Sequence, residues 1–260
     1  MTHAPELPEV TLSEHEGVRY LHLGTPWVHG AMRIARPRAI ELEYVQRMLA
    51  ALLWLPQEDL AEGRAVQLGL GAGTLTRFTH AELGMDTTAI ELNPQVILAC
   101  RARLRLPADG PGLQVVCGDA SQWVARPPRG YAGSVRLLHV DLYDHEAAAP
   151  VLDDEHFYAR CRALLEPGGV MAVNLFGRQA SFARSAARIA AAFGAAQVWS
   201  LRATREGNTV VVAGRGAIPP GRAELTARAT TIEARHGKLG LPARKWLRMV
   251  RPWQAGPAQG

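Results

Sequence analysis

The protein has 260 residues, 48% of them hydrophobic and 20% charged, with a formal net charge of +5. That length suits one full α/β domain with a small appendage, and the balance of apolar and charged residues excludes a disordered or fibrous chain. No apolar run approaches the ~20 residues of a membrane span, which excludes an integral helical membrane protein.

Strand signals open the chain. Val10–Leu12, Arg19–Leu23 and Trp27–Ile34 are separated by turns at Glu16-Gly17 and Gly24-Thr25-Pro26, which predicts a small antiparallel β-unit over residues 1–36. Ile40, Tyr44, Met48 and Leu52 then recur at helical spacing over 39–54, and Leu55-Pro56 ends that helix. From there strands and helices alternate. Strand 64–70 leads to a helix over 73–82, and strand 86–91 leads to one over 94–104 that Asn93-Pro94 starts. Strand 113–117 ends in Gly118-Asp119-Ala120, with a short helix near Ser121. Strand 135–140 ends at Asp141. A helix over 154–165 stops at Pro167-Gly168-Gly169, and Val170–Leu175 is the fifth strand of the alternation. An alanine-rich helix over 179–193 precedes strands 196–201 and 208–213. Near-continuous apolar strands alternating with helices predict a Rossmann-like, seven-stranded, doubly wound sheet over residues 37–214.

Residues 215–260 change character. Nine Lys or Arg against Glu224 and Glu233 give +7 there, leaving −2 for residues 1–214. The sheet-forming body is therefore not basic, and the overall charge is no argument for nucleic acid. Leu225, Ala229 and Ile232 on one side of a helix over 224–235, with Trp246, Leu247, Met249 and Val250 beyond, predict a basic helical extension packed on the body. Neither nucleic acid nor a membrane is expected as a partner. The first residues lack the basic start and apolar core of a signal peptide. Cys100, Cys117 and Cys161 form neither a C-x-x-C pair nor a disulfide framework, so a cytoplasmic location is expected.

Four successive strand ends carry the chemistry, because ligands of open parallel sheets sit at the carboxyl ends of the strands. The first is Gly69-Leu70-Gly71-Ala72-Gly73-Thr74. Glycines at 69, 71 and 73 let the backbone turn sharply and approach a ligand, and the helix start beyond offers unpaired N–H groups. The spacing is G-x-G-x-G, not the dinucleotide G-x-G-x-x-G, and looks like motif I of class I S-adenosylmethionine-dependent transferases. Glu91, at the next strand end, is placed to accept from ribose hydroxyls. Asp119 is placed to accept from an adenine amino group with the Ala120 N–H beside it, although a helix cap accounts for Asp119 as well. Asp141 and Asp144 lie beside the expected reacting centre. Paired carboxylates there can hold an ammonium and accept the proton that an alkylamine, pKa about 10, must lose before it attacks. His29, His139, His145 and His156 lack metal-ligand spacing, and no metal is expected.

On these residues, positions 10–213 resemble the spermidine synthase family of aminopropyltransferases. The β-unit, Leu68–Arg77, Glu91, Gly118-Asp119-Ala120 and the D-x-x-D of Asp141-Leu142-Tyr143-Asp144 carry the resemblance. It implies that Asp141 is the catalytic proton acceptor and Asp144 a contact to the substrate amine. It implies that Gly69, Gly71, Gly73, Glu91, Asp119 and Ala120 bind the nucleoside, and that His29, Tyr44 and Tyr143 lie on the substrate side. The co-substrate would be decarboxylated S-adenosylmethionine, the acceptor a small-molecule amine, and the assembly a homodimer. Three positions depart from the family pattern. Ala72 stands where the turn carries an acid that grips the donor's ammonium tail. His29 stands for a glutamine, and Tyr44-Val45-Gln46 replaces Tyr-His-Glu. Methyl transfer from intact S-adenosylmethionine to a small molecule therefore stays open, as does a non-catalytic nucleoside-binding protein.

Overall fold

A computed structural model describes residues 7–142, 152–176, 179–217 and 219–254. Three strands, β1 (Val10–His15), β2 (Val18–Leu23) and β3 (Gly30–Arg33), form the N-terminal antiparallel sheet. The third is shorter than expected, and Trp27, left outside it, is 56% exposed. Next come α1 (Glu43–Met48) and a 3-10 helix over Leu49–Trp54. Every residue of that 3-10 segment is buried, so packing on all sides, rather than one apolar face, shapes the second half of the expected helix.

The alternation follows as β4 (Arg64–Leu68), α2 (Thr74–Ala81), β5 (Asp86–Glu91), α3 (Pro94–Arg103), β6 (Leu113–Cys117), α4 (Ala120–Ala125) and β7 (Val135–Val140). It continues through α5 (Glu155–Leu164), β8 (Leu165–Phe176), α6 (Gln179–Phe193), β9 (Val198–Leu201) and β10 (Asn208–Gly214). Strand β8 begins before Pro167-Gly168-Gly169 rather than after it. Its register against β7 jumps between Val135 and Leu137, and Gly168 and Gly169 exchange backbone hydrogen bonds with Arg215 at 2.8 and 2.9 Å. The tripeptide is therefore absorbed as an irregularity within the strand. Last come α7 (Arg222–His236), α8 (Ala243–Trp246) and β11 (Val250–Pro252).

Among the described residues the main sheet has eight strands, not seven, in the order β11-β9-β10-β8-β7-β4-β5-β6. The eighth comes from the C-terminal segment: Val250–Pro252 pairs antiparallel with β9 and covers its outer edge. β4 through β8 run parallel where paired, and β10 is antiparallel to β8. Successive strand residues point to opposite faces, which gives two cores. Val66, Leu68, Leu138, Val140, Met171 and Val173 pack under α4, α5 and α6. Ala65, Leu137, Val170, Ala172, Val210 and Val212 pack under the 3-10 helix, α2, α7 and α8.

A third cluster seats the N-terminal sheet on the glycine turn, joining Leu21 and Met32 to Leu70, Ala72, Val96 and Cys100. The fit is close at one point. A Cβ built on Gly30 would lie 2.5 Å from both the Ala72 Cβ and the Ala72 nitrogen, so β3 rests directly on residue 72.

Candidate active site

The carboxyl edge of the sheet and the overhanging N-terminal sheet enclose a cavity of about 740 Å³. Its lining includes Gly69, Gly71, Glu91, Asp119, Ala120 and Asp141 from the sheet edge, with His29 and Tyr44 facing them. Eight of the residues singled out from the sequence thus meet in one space. Gly73 does not: it caps α2 with φ +68°, and its Cα faces Leu106 instead. Tyr143 and Asp144 lie outside the described residues.

The turn is held in place from below. Gln67 Nε2 donates to the Gly69 carbonyl at 2.7 Å, and Thr76 Oγ1 donates to Gln67 Oε1. Arg77 donates to the Ala72 and Leu104 carbonyls, both at 2.7 Å, and burial pulls its pKa down to about 10. The Cys100 thiol donates to the Gly71 carbonyl at 3.1 Å, and burial pushes its pKa up to about 12, which makes it a structural thiol. Gly69 itself is obligatory. With φ +86°, a Cβ there would lie 2.2 Å from the Asp141 carbonyl oxygen.

Glu91 is fixed by backbone. Its Oε2 accepts from Leu70 N at 2.9 Å and its Oε1 from Asn93 N at 2.8 Å. Burial raises its pKa while those backbone bonds oppose the rise. Asp119 is the cap of α4, its Oδ1 accepting from Ser121 N at 2.7 Å, and the residue also lines the cavity. Asp141 ends β7 on the cavity floor. Its Oδ1 accepts from Asn174 Nδ2 at 2.9 Å, and the Tyr44 hydroxyl hydrogen-bonds to the same carboxylate. Burial raises its pKa above the ordinary carboxylate value, and these two hydrogen bonds oppose the rise.

Among the lining residues not singled out from the sequence, two amides connect to Asp141. Asn174 is the one polar side chain in Val170–Leu175, near the end of β8, and that interruption was the available signal. Asn208 begins β10 and donates from Nδ2 to Asn174 Oδ1 at 3.1 Å. Local sequence gives no hint of that contact. His139, two residues before Asp141, is buried, its Nε2 lacks a partner among the described residues, and burial pulls its pKa down to about 3. It is a neutral imidazole in the core. Among the described residues no group of three or more His, Cys, Asp or Glu is arranged to hold a metal.

Ala72 does not line the cavity. It is 3% exposed and covered by Gly30, so the expectation that position 72 faces the donor's tail is not met in this conformation. Ala72→Asp should therefore destabilise the protein, since a carboxylate buried against backbone loses its hydration. Thermal melting would show it; an unchanged midpoint with altered donor affinity would restore the ligand-facing reading.

No protein-family model matches the chain. It is 30% identical over 233 residues to a polyamine aminopropyltransferase of Chromobacterium violaceum, covering 89% of this chain and 86% of that one. The chain belongs to the polyamine aminopropyltransferase family. Its fold matches that of a probable spermidine synthase from Corynebacterium glutamicum over the full length of both chains, with TM-score 0.72 and 17% identity. It also matches human methyltransferase-like protein 13 in complex with SAH, with TM-score 0.65 and 19% identity, covering 84% of this chain and 98% of that one. The aminopropyltransferase family membership thus coincides with a class I methyltransferase fold, as the strand order indicates.

Proposed function

We propose that this cavity binds decarboxylated S-adenosylmethionine and an amine, and that the protein transfers the aminopropyl group to the amine nitrogen. One observation carries the reading: Glu91, Asp119 and Asp141, at the carboxyl ends of β5, β6 and β7, line one cavity with the glycine turn that follows β4, in a member of this family. Glu91, held by two backbone N–H groups, is oriented to accept from ribose hydroxyls. Asp119 and the Ala120 N–H sit where the adenine would end. Gly69 and Gly71 give the ligand close access to the backbone.

Asp141 takes the proton. The acceptor amine arrives protonated and must be neutral to attack. Its lone pair forms the new N–C bond, the C–S bond breaks with its electrons passing to sulfur, and the leaving group is a neutral thioether. No acid is needed for departure. Positioning and proton removal by Asp141 then carry the rate. Tyr44 bonds to the same carboxylate and orients it. Asp144 and Tyr143 are proposed substrate contacts by resemblance, as is His29 on the cavity wall.

The experiment is a product assay. Aminopropyl transfer releases methylthioadenosine, whereas methyl transfer releases S-adenosylhomocysteine, and mass spectrometry separates them. Methyl transfer is the second reading because the fold also matches that of human methyltransferase-like protein 13 in complex with SAH. Glu91→Ala should weaken methylthioadenosine binding by about 1–3 kcal/mol, the scale of lost hydrogen bonds to a charged group. Equal affinity on calorimetric titration would remove Glu91 from the nucleoside site.

A cytoplasmic homodimer remains part of the proposal, tested by sedimentation and localisation. Nucleic acid is not proposed as a partner. Arg215, Arg228 and Arg235 of the basic segment donate to the Leu165, Leu53 and Gln57 carbonyls of the body. Among the described residues no helix is long and apolar enough to cross a membrane.

A further inference from the structure

Three side chains from three strands adjacent in the sheet, β10, β8 and the end of β7, stand in line in the cavity lining. Asn208 Nδ2 donates to Asn174 Oδ1 at 3.1 Å, and Asn174 Nδ2 donates to Asp141 Oδ1 at 2.9 Å. The direction of this line is set by chemistry. An ionised carboxylate only accepts, so Asn174 must turn its NH₂ towards Asp141. Its carbonyl then faces Asn208, and Asn208 must donate. A rotation of the Asn174 amide by half a turn would aim its oxygen at the carboxylate and repel it. Asn208 opposes that rotation by engaging the oxygen.

Asn208 is itself anchored. Its backbone N–H donates to Thr204 Oγ1 at 3.2 Å, and the Thr204 N–H donates to the Asn208 carbonyl at 2.8 Å, closing the hairpin that links β9 to β10. Asn174 is 4% exposed, so water has little access to replace either bond.

We infer that Asn208 is a positioning residue for Asp141, acting through Asn174: it fixes the amide orientation that keeps a donor aimed at the catalytic carboxylate. This rests on the reading of Asp141 as the proton acceptor. Asn208 need not touch either substrate to matter. It makes the β9–β10 hairpin part of the catalytic apparatus, although that hairpin carries none of the family's motif residues.

The other titratable described residues lining the cavity are His29, Tyr44, Glu91, Asp119 and Glu206, and His139 lies behind Asp141 on the same strand. None of them is altered by the test. The test is a double-mutant cycle in full-length protein with Asn174→Leu, Asn208→Leu and both together. The Asp141 carboxyl is titrated by carbon NMR of protein labelled at aspartate carboxyl carbons, its signal assigned by loss in Asp141→Asn. The pH profile of kcat/KM is recorded alongside.

Each single change should raise the Asp141 midpoint, by about one pH unit for Asn174→Leu and less for Asn208→Leu, because a donor to the ionised form is lost or released. The double variant should match Asn174→Leu. A midpoint unmoved by Asn208→Leu overturns the inference. So does an Asn208→Leu shift that persists undiminished in the Asn174→Leu background, since Asn208 would then act directly. If Asn208→Leu does not fold, Asn208→Ala answers the same question. Midpoints that move as expected while kcat/KM fails to follow them would keep the amide line and reject Asp141 as the base.

Discussion

Asp141→Asn should lower turnover by about 10²–10⁴-fold, the scale of a lost general base, while leaving methylthioadenosine affinity almost unchanged. Asparagine keeps the shape of aspartate and still accepts from Asn174, but it cannot take a proton. The proposed nucleoside contacts, Glu91 and Asp119, come from other strands and are untouched. Steady-state kinetics with calorimetric titration of the thioether product checks both halves. Parent-like turnover would remove Asp141 as the base and move the role to Asp144.

Stability supplies the control. Burial raises the Asp141 pKa above its unfolded value, so the ionised carboxylate destabilises the fold at neutral pH. That penalty is fully present above the folded pKa and fades as pH falls towards the unfolded one. Asparagine removes it. The variant should therefore melt at the parent temperature or above, which separates lost chemistry from lost folding.

Trp246→Ala should cost about 3–5 kcal/mol, the range for emptying a buried aromatic site. Trp246 is 1% exposed and shares a core with Trp54, Trp199, Ile232 and Leu241. Trp54 and Trp199 themselves pack at 5.0 Å between ring centroids. At roughly 2–4 °C per kcal/mol for a protein of this size, the melting temperature should fall on the order of 10 °C. Truncation after Gly214 should be more damaging, because it removes α7, α8 and the strand that covers β9. A truncated protein that melted like the full chain would show the basic segment to be a free tail. Salt-sensitive binding of duplex DNA, lost on truncation, would give that tail a nucleic-acid role.

The features legible in the sequence are those governed by neighbouring residues. The G-x-G-x-G turn was readable because positive φ at Gly69, Gly71 and Gly73 restricts the choice of residue locally. The caps at Asn93 and Asp119 were readable because a side chain bonds the backbone two residues on. The alternation of strands and helices was readable from apolar runs, since the central strands β4, β5, β7 and β8 are largely buried on both faces. Together these determined the doubly wound sheet and the edge where its ligand would sit.

Tertiary structure decided the rest, because it depends on which distant segments meet. Residue 72 looks ligand-facing in the turn, yet Gly30 of another sheet covers it. Asn208 begins its strand whereas Asn174 nears the end of its own. They meet because β10 runs antiparallel to β8, bringing the start of one strand beside the end of the other. Val250–Pro252 becomes an eighth strand only because β9 presents an open edge. The charge of the C-terminal segment was plain from its composition. That Arg228 and Arg235 bond carbonyls of the body, 175 and 178 residues away in the chain, and that Trp246 enters the core, was fixed by packing between distant segments.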